Sequence, residues 1–172
     1  MTIDLNSLIR TIPDYPKPGI QFKDITPVLK NHRAMKQACE QLAERFKDDG
    51  VQVIAAPEAR GFIFGVPQAM HMECSFVPIR KPGKLPYETN SVTYDLEYGT
   101  DTVEIHTDAI NPGDKVLLVD DLLATGGTMS ACTQLVEKLG GTVVGCAFLI
   151  ELGFLNGREL LKDYRVEALI QE

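Results

Sequence analysis

The chain has 172 residues, of which 44% are hydrophobic, and a formal net charge of −7 at neutral pH. This length is enough for one well-buried core and short for two, so we predict a single domain, residues 1–172. The acidic charge argues against nucleic-acid partners, and since no apolar run reaches the roughly eighteen residues of a membrane span, we expect a soluble cytoplasmic protein with no membrane partner.

At the amino-terminal end, residues 3–11 have the apolar spacing of a short amphipathic helix. The proline-rich residues 12–27 predict an irregular cover rather than a sheet element, because prolines stiffen an extended path. Helical and strand-like patterns then alternate along the chain. The predicted helices are residues 32–47, 61–72 and 129–139, and the predicted buried strands are residues 51–56, 75–80, 116–119 and 143–150. This βαβ alternation predicts an α/β fold with a mainly parallel sheet that is covered on both faces.

Residues 81–99 contain two prolines, several polar residues and no convincing period. We therefore predict a long flexible loop, and residues 102–105 alternate in a way that could pair as a strand at its far base. Long loops in compact domains are usually functional. This one could hinge as a lid that keeps water out of a reaction site.

Residues 116–128 carry the most specific pattern in the chain. Four apolar residues form a strand of the kind that is buried on both faces, and Asp120 and Asp121 follow at its carboxyl end. Ligands of open α/β sheets bind at that end, where two neighbouring carboxylates can accept hydrogen bonds from the vicinal diol of a ribose. Tandem acids directly before a Thr-Gly-Gly-Thr turn favour this interpretation over mere surface charge.

The turn after the two acids predicts a phosphate site. It consists of Ala124, Thr125, Gly126, Gly127 and Thr128, which offer successive backbone amides and two hydroxyls at the start of a helix. Free amides and the helix dipole favour a dianion there, so no lysine is needed. A Walker loop and a dinucleotide fingerprint are excluded, because neither glycine pattern occurs.

Cations lie at the ends of two other predicted strands. Arg80, Lys81 and Lys84 follow the second predicted strand and favour pyrophosphate binding over a solvated surface cluster. Arg60 follows the first predicted strand, where its guanidinium can grip pyrophosphate with two hydrogen bonds or pair with a nearby glutamate at the surface. The four cysteines and three histidines have no spacing that indicates a metal site or a disulfide framework.

Residues 116–128 resemble the phosphoribosyl-pyrophosphate signature of the type I phosphoribosyltransferases. Four further segments resemble blocks of the same family in the same order, namely residues 14–27, 58–62, 80–86 and 94–99. Their combination resembles the adenine phosphoribosyltransferase branch and covers nearly the whole chain. The resemblance implies an α/β fold with a mainly parallel central sheet flanked by helices, a hood formed by residues 1–30 and a flexible catalytic loop over residues 81–99.

The resemblance also implies a function, that of a purine-salvage transferase that makes AMP and pyrophosphate from adenine and 5-phosphoribosyl 1-pyrophosphate (PRPP). Relatives form homodimers, in which Arg80 can reach the neighbouring site. We expect magnesium carried by PRPP, because pyrophosphate is too highly charged to leave readily alone. No protein ligand is assigned to the metal, since Asp120 and Asp121 could reach it only through water or serve the ribose alone. The residues predicted to bind PRPP and AMP are Arg60, Arg80, Lys84, Asp120, Asp121, Ala124, Thr125, Gly126, Gly127 and Thr128.

For the base, the resemblance implies that the Gln21 carbonyl accepts a hydrogen bond from the 6-amino group of adenine and that the Lys23 amide donates to N1, a pattern that rejects a 6-oxo purine. Relatives often carry arginine where this chain has Lys23. Phe22 could stack on the base or equally be a core aromatic. The likeness of residues 94–99 to the catalytic-loop block makes Glu97 the candidate for proton transfer at the base. Two rival functions stay open: a phosphoribosyltransferase for another base, and a ligand-sensing regulator that has lost catalysis.

Overall fold

Five parallel strands form the central sheet of the computed structural model, which describes residues 2–96 and 99–172. In chain order the strands are β1 (Arg10–Pro13), β2 (Gln21–Asp24), β3 (Val53–Pro57), β4 (Ser75–Ile79), β5 (Thr89–Asp95), β6 (Thr100–His106), β7 (Lys115–Leu123), β8 (Thr142–Glu151) and β9 (Val166–Gln171). The α-helices are α1 (Thr26–Lys30), α2 (His32–Glu44), α3 (Arg60–His71) and α4 (Gly127–Lys138). Short 3-10 helices cover Asn6–Leu8, Gly153–Leu155 and Gly157–Leu161. Along the described residues, no helix is both long and apolar enough to cross a membrane.

The central sheet has the strand order β4-β3-β7-β8-β9, and every neighbouring pair is parallel. Successive side chains of its middle strand, β7, enter different cores because strand side chains alternate between faces. Leu117 and Val119 pack on the side of α1, α2 and α3, whereas Val116 and Leu118 pack on the side of α4 and β6. The predicted α/β fold, with a parallel sheet covered on both faces, is therefore confirmed.

Three predictions for the first part of the chain are corrected or refined. Residues 3–11 hold only one 3-10 turn before β1 begins, so the predicted helix is wrong. The irregular cover over residues 12–27 is also wrong in part, because β1 and β2 pair as an antiparallel hairpin, with Ile12 opposite Phe22. Pro13 ends β1, Pro16 and Pro18 lie in the turn, and Pro27 lies in α1. In the turn the Asp14 carboxylate accepts a hydrogen bond from the Gly19 amide at 2.8 Å. The predicted helix over residues 32–47 matches α2, which ends slightly earlier.

The segment predicted as a long loop over residues 81–99 is partly a strand. β5 pairs antiparallel with β6 from Thr89 opposite His106 to Asp95 opposite Thr100. The strand predicted over residues 102–105 is thus confirmed and is longer than expected. The alternation in β5 is hard to read from sequence because its outward side chains are polar and only Val92 and Tyr94 pack against the core.

The two acids lie within β7 rather than at its end, which corrects the sequence prediction. β7 continues to Leu123 because β8 runs beside it as far as Glu151. Its pairing with β3, by contrast, stops at Leu118. Asp120 and Asp121 therefore lie beyond the last paired position of β3 and β7, and both acids line a cleft there. Sequence reasoning also missed β9, which adds a further parallel strand beside β8.

Candidate active site

Two adjoining cavities, of about 180 and 200 Å³, lie where β3, β4 and β7 reach the sheet edge. They share four lining residues, which are Arg60, Asp120, Asp121 and Thr128. The first cavity is completed on one side by Glu58, Arg80 and Lys81. The second is completed by Leu122, Leu123, Met129 and the turn predicted to bind phosphate, residues 124–128. The structure thus brings the predicted acids, the predicted turn and three of the four predicted cations, Arg60, Arg80 and Lys81, around one cleft.

Asp120 and Asp121 form a coupled pair of carboxyls. The Asp121 amide donates to Asp120 Oδ1 at 2.9 Å, and Asp121 Oδ2 lies 3.1 Å from Arg60 Nε with its side chain only 4% exposed. That ion pair is not aligned as a hydrogen bond, so Asp121 Oδ2 is buried without a donor among the described residues. Burial raises the pKa of both carboxyls, and the neighbouring Asp121 charge raises the pKa of Asp120 further, while Arg60 opposes both shifts. Such a pair is poised to accept hydrogen bonds from a ligand that brings its own donors.

The start of α3 lies directly against the acids. A Cβ at Gly61 would come 3.0 Å from the Val119 carbonyl oxygen and 3.2 Å from Asp120 Oδ1, so a side chain at this position would press on both. Glycine allows the helix to approach β7 closely, and Arg60, the first residue of α3, reaches Asp121 as a result. Of the two alternatives for Arg60, the structure favours a place in the cleft, since its carboxylate partner is Asp121 rather than a surface glutamate.

The predicted phosphate turn is held in shape by a contact between two glycines. Gly126 has a φ of +86°, and a Cβ there would lie 2.4 Å from the Gly157 carbonyl oxygen. A Cβ at Gly157 would in turn lie 2.3 Å from the Ala124 carbonyl oxygen. α4 begins at Gly127, and no side chain of the described residues caps its amino end. The first amides of α4 are therefore available to an anion, as the sequence predicts.

Glu58 organises the cations on the other side of the cleft. Its side chain is 12% exposed, and it accepts hydrogen bonds from the Lys81 amide and from Lys84 Nζ, both at 2.7 Å, with Arg80 Nε at 3.3 Å. Burial alone would raise the pKa of Glu58, but these donors and charges hold it below its ordinary value. Arg80 and Lys81 line the first cavity, whereas Lys84 reaches it only through Glu58. Arg80 thus contacts its own chain's cleft.

Sequence reasoning missed two residues beside the cleft, Tyr94 and Asp101. Tyr94 Oη lies 2.9 Å from Thr128 Oγ1 and 3.2 Å from Asp101 Oδ2, and Asp101 forms an ion pair with Lys81. Both belong to the β5–β6 hairpin, part of which was predicted to be a loop. The sequence feature that could have identified Asp101 is the alternation at positions 101, 103 and 105. It places one carboxylate on the same strand face as two buried apolar residues.

The hood carries the residues predicted to bind the base, and it approaches the cleft through Arg60. The Arg60 guanidinium carbon lies 5.5 Å from the centre of the Phe22 ring, which also meets Tyr15 edge-on at 5.2 Å. Lys23 Nζ pairs with the Glu172 carboxylate and donates to Thr11 Oγ1 at 3.0 Å, so this side chain is held by other groups. Gln21, Phe22 and Lys23 do not line the two cavities described above. Glu97 lies outside the described residues, and its role stays a prediction.

The comparisons with known proteins identify the family. A model described as the phosphoribosyl transferase domain matches residues 28–170. The adenine phosphoribosyltransferase of Kosmotoga olearia is 58% identical over 98% of this chain and 99% of its own length. The crystal structure of the Thermoanaerobacter pseudethanolicus enzyme superposes with a TM-score of 0.96 at 54% identity, covering 98% of each chain.

The chain belongs to the adenine phosphoribosyltransferase family. A Saccharomyces cerevisiae member, solved in complex with an imino-altritol bisphosphate and adenine, superposes with a TM-score of 0.91 at 38% identity, covering 96% of each chain. The predicted family, fold class and enzyme class, a pentosyltransferase of purine salvage, are therefore confirmed.

Proposed function

We propose that this enzyme transfers the 5-phosphoribosyl group of PRPP to N9 of adenine, forming AMP and releasing pyrophosphate. The observation that carries the proposal is the arrangement of one cleft: tandem carboxyls in its floor, a helix amino terminus at one end and a cluster of cations at the other. PRPP offers a matching set of groups, a ribose diol between two phosphoryl groups. Family membership supports the same reaction.

In the proposed complex the 5′-phosphate lies in the turn of Ala124, Thr125, Gly126, Gly127 and Thr128. The unpaired amides at the start of α4 and the two threonine hydroxyls supply donors, and the helix dipole favours the dianion. Asp120 and Asp121 accept hydrogen bonds from the ribose hydroxyls. Their raised pKa values fit this role, because the two hydroxyls donate hydrogen bonds to carboxylates that are buried with too few donors.

The pyrophosphate lies on the side of the cations in this proposal. Arg60, Arg80 and Lys81 line the cavity there, and Lys84 adds charge through its contact with Glu58. As the bond from C1′ to oxygen breaks, negative charge grows on the leaving group and positive charge on the ribose. The cations stabilise the negative charge on pyrophosphate and the carboxylates stabilise the positive charge on the ribose, because the cations and carboxylates are already fixed around the cleft.

We also propose that magnesium arrives with PRPP, where it supplies positive charge to the leaving pyrophosphate. The buried Asp121 Oδ2, which has no aligned donor among the described residues, fits a group that a hard cation or its water can satisfy. Asp120 and Asp121 are the residues that would hold the ion, through its bound water.

For adenine we propose backbone contacts from the hood. The Gln21 carbonyl accepts from the 6-amino group, the Lys23 amide donates to N1 and Phe22 stacks on the ring. The contact between Phe22 and Arg60 supports this, since it holds the hood next to the cleft. Glu97 is proposed to carry out proton transfer at the base. Replacing Glu97 with Gln should lower turnover much more than substrate affinity, and wild-type turnover in that variant would reject the role.

Two further proposals concern assembly and location. We propose a homodimer, because the described surface exposes large apolar side chains on α3 and in residues 153–161, with Met70 at 78% and Phe154 at 69%. We propose a cytoplasmic enzyme, because all four cysteines are free thiols, which suits a reducing compartment. Light scattering after gel filtration tests the first, and fractionation of the source cells tests the second.

A panel of purines tests the function. The purified enzyme is incubated with PRPP, magnesium and either adenine, hypoxanthine or guanine, and pyrophosphate release is followed together with the nucleotide formed. We expect AMP from adenine and little product from the two 6-oxo bases. Fast consumption of hypoxanthine without that of adenine would replace the proposed base, and binding of PRPP without any turnover would favour a regulator.

A further inference from the structure

The β5–β6 hairpin carries an acid on its inward face. Asp101, Val103 and Ile105 share one face of β6, and the two apolar side chains are buried in the core next to the cleft. A carboxylate in such a position loses hydration and needs partners that restore it. The partners it has are therefore informative about what this part of the hairpin does.

Asp101 is paired on both of its oxygens. Oδ1 accepts a hydrogen bond from the Thr102 amide at 2.8 Å, and Oδ2 pairs with Lys81 Nζ and accepts from Tyr94 Oη at 3.2 Å. Although burial acts against both charges, these contacts lower the pKa of Asp101 and raise the pKa of Lys81. The ammonium of Lys81, which lines the first cavity, is thus held charged and in place by the hairpin.

Tyr94 extends the same network to the other end of the cleft. Its Cα lies opposite that of Asp101 in the β5–β6 register, and its hydroxyl lies 2.9 Å from Thr128 Oγ1. The ring covers the first turn of α4 closely, since a Cβ on Gly127 would lie 3.4 Å from Tyr94 Cδ2. One continuous set of contacts therefore runs from Lys81 through Asp101 and Tyr94 to Thr128.

We propose that Tyr94 and Asp101 are positioning residues that fix the phosphate turn relative to the pyrophosphate cations. The inference rests on the proposed function, which assigns Thr128 to the 5′-phosphate and Lys81 to the pyrophosphate. PRPP carries both phosphoryl groups on one ribose, so it binds well only when the two ends of the cleft are held at the right separation. Adenine touches neither end, and its binding does not depend on this network.

The first test compares two variants of the hairpin. Tyr94→Phe keeps the ring on α4 and removes the hydroxyl that reaches Thr128 and Asp101. We expect the KM for PRPP to rise about three- to tenfold, the range that loss of one or two hydrogen bonds produces, with the KM for adenine unchanged. Thr93→Val is the matched control, because it removes a 2.9 Å hydrogen bond to Thr102 on the exposed face of the same hairpin. The control should keep wild-type kinetics.

Two further measurements show whether the effect passes through the proposed contacts. In the reverse reaction, Asp101→Asn should raise the KM for pyrophosphate severalfold, because Lys81 loses the charge that holds it. In a double-mutant cycle, Tyr94→Phe should have little additional effect on the KM for PRPP once Thr128 is replaced by Val. Thermal unfolding of each variant sets an assay temperature at which all of them are folded.

The outcomes separate this inference from the function on which it rests. An unchanged KM for PRPP in Tyr94→Phe, an equal rise for adenine, or full additivity with Thr128→Val overturns the positioning role. A lower KM for pyrophosphate in Asp101→Asn also overturns it, since Asp101 would then compete with the ligand for Lys81. If the wild-type enzyme makes no AMP from adenine and PRPP, the proposed function fails instead.

Discussion

Replacing Gly157 with Ala should damage the phosphate turn without touching a predicted ligand contact. The added Cβ would lie 2.3 Å from the Ala124 carbonyl oxygen, about 0.7 Å inside the 3.0 Å that real Cβ contacts respect, and 2.9 Å from Leu123 Cδ1. The Leu123 side chain can rotate away, but the carbonyl belongs to the turn itself. The clash is therefore relieved only when the turn or the Gly157 segment moves.

The size of the effect follows from this displacement. A shift approaching 1 Å in groups that position a reacting substrate can cost on the order of a hundredfold in rate. Because 0.7 Å is shared between two segments, we expect kcat/KM for PRPP to fall about ten- to hundredfold, while the KM for adenine stays within about twofold. Steady-state kinetics with each substrate varied in turn measures both values.

A matched control lies four residues earlier. A Cβ on Gly153 would lie 3.4 Å from its nearest neighbour, the Glu172 carbonyl oxygen, which is an ordinary contact. Gly153→Ala should therefore leave the kinetics unchanged and separates the steric clash from a general effect of alanine in this segment. Wild-type kcat/KM for PRPP in Gly157→Ala, or an equal loss in Gly153→Ala, would refute the reasoning.

Three other predictions use different properties of the cleft. Asp120→Asn should weaken PRPP binding yet raise Tm by about 2–4 °C at neutral pH. Because the folded state binds the Asp120 proton more tightly than the unfolded state does, this gain in Tm should shrink as the pH falls towards the ordinary carboxyl pKa of 3.8. A gain in Tm that is constant with pH would contradict the prediction. Arg60→Lys should lower kcat/KM for PRPP at least about tenfold with little change in Tm, because an ammonium lacks the paired donors of a guanidinium, and wild-type kinetics would remove Arg60 from the pyrophosphate subsite. EDTA should abolish turnover, and added magnesium should restore it. In the absence of PRPP, EDTA should leave Tm constant, because the ion is expected to arrive with the substrate. A lower Tm in EDTA would indicate an ion that belongs to the protein.

The central sheet could be predicted from sequence because its signals are local. The strand around Leu117 and Leu118 is a short apolar run buried on both faces, and α4 has a regular apolar period that ends in glycines. Apart from residues 102–105 of β6, the β1–β2 hairpin and the β5–β6 hairpin could not be predicted in the same way. Their strands are largely polar, and few of their side chains are buried. The apolar period that identifies a strand in the central sheet is therefore weak in these strands.

The same distinction explains which parts of the site were found. Asp121 and Arg60 were predicted to converge because the carboxyl ends of parallel strands meet at one edge of a sheet. Tyr94 and Asp101 come from an antiparallel hairpin beside that sheet, and no strand-end rule brings them to the cleft. Lys23 shows a third case, since its place in β2 was missed and its side chain pairs with Glu172, a residue 149 positions later in the sequence.

The electrostatics of the cleft explain how an acidic chain can hold a polyanion. Glu58 has a lowered pKa and pairs with the side chains of Arg80 and Lys84, while Asp101 pairs with the ammonium of Lys81, so two carboxylates keep three mutually repelling cations together. Asp120 lies in the opposite environment, where burial and a like charge raise its pKa. The cations and the acids are thus concentrated at separate places in the cleft, and neither set is fully neutralised before a ligand binds. A molecule with a diol between two phosphoryl groups supplies negative charge to the cations and hydrogen-bond donors to the acids at once, which neither a free phosphate nor a nucleoside can do.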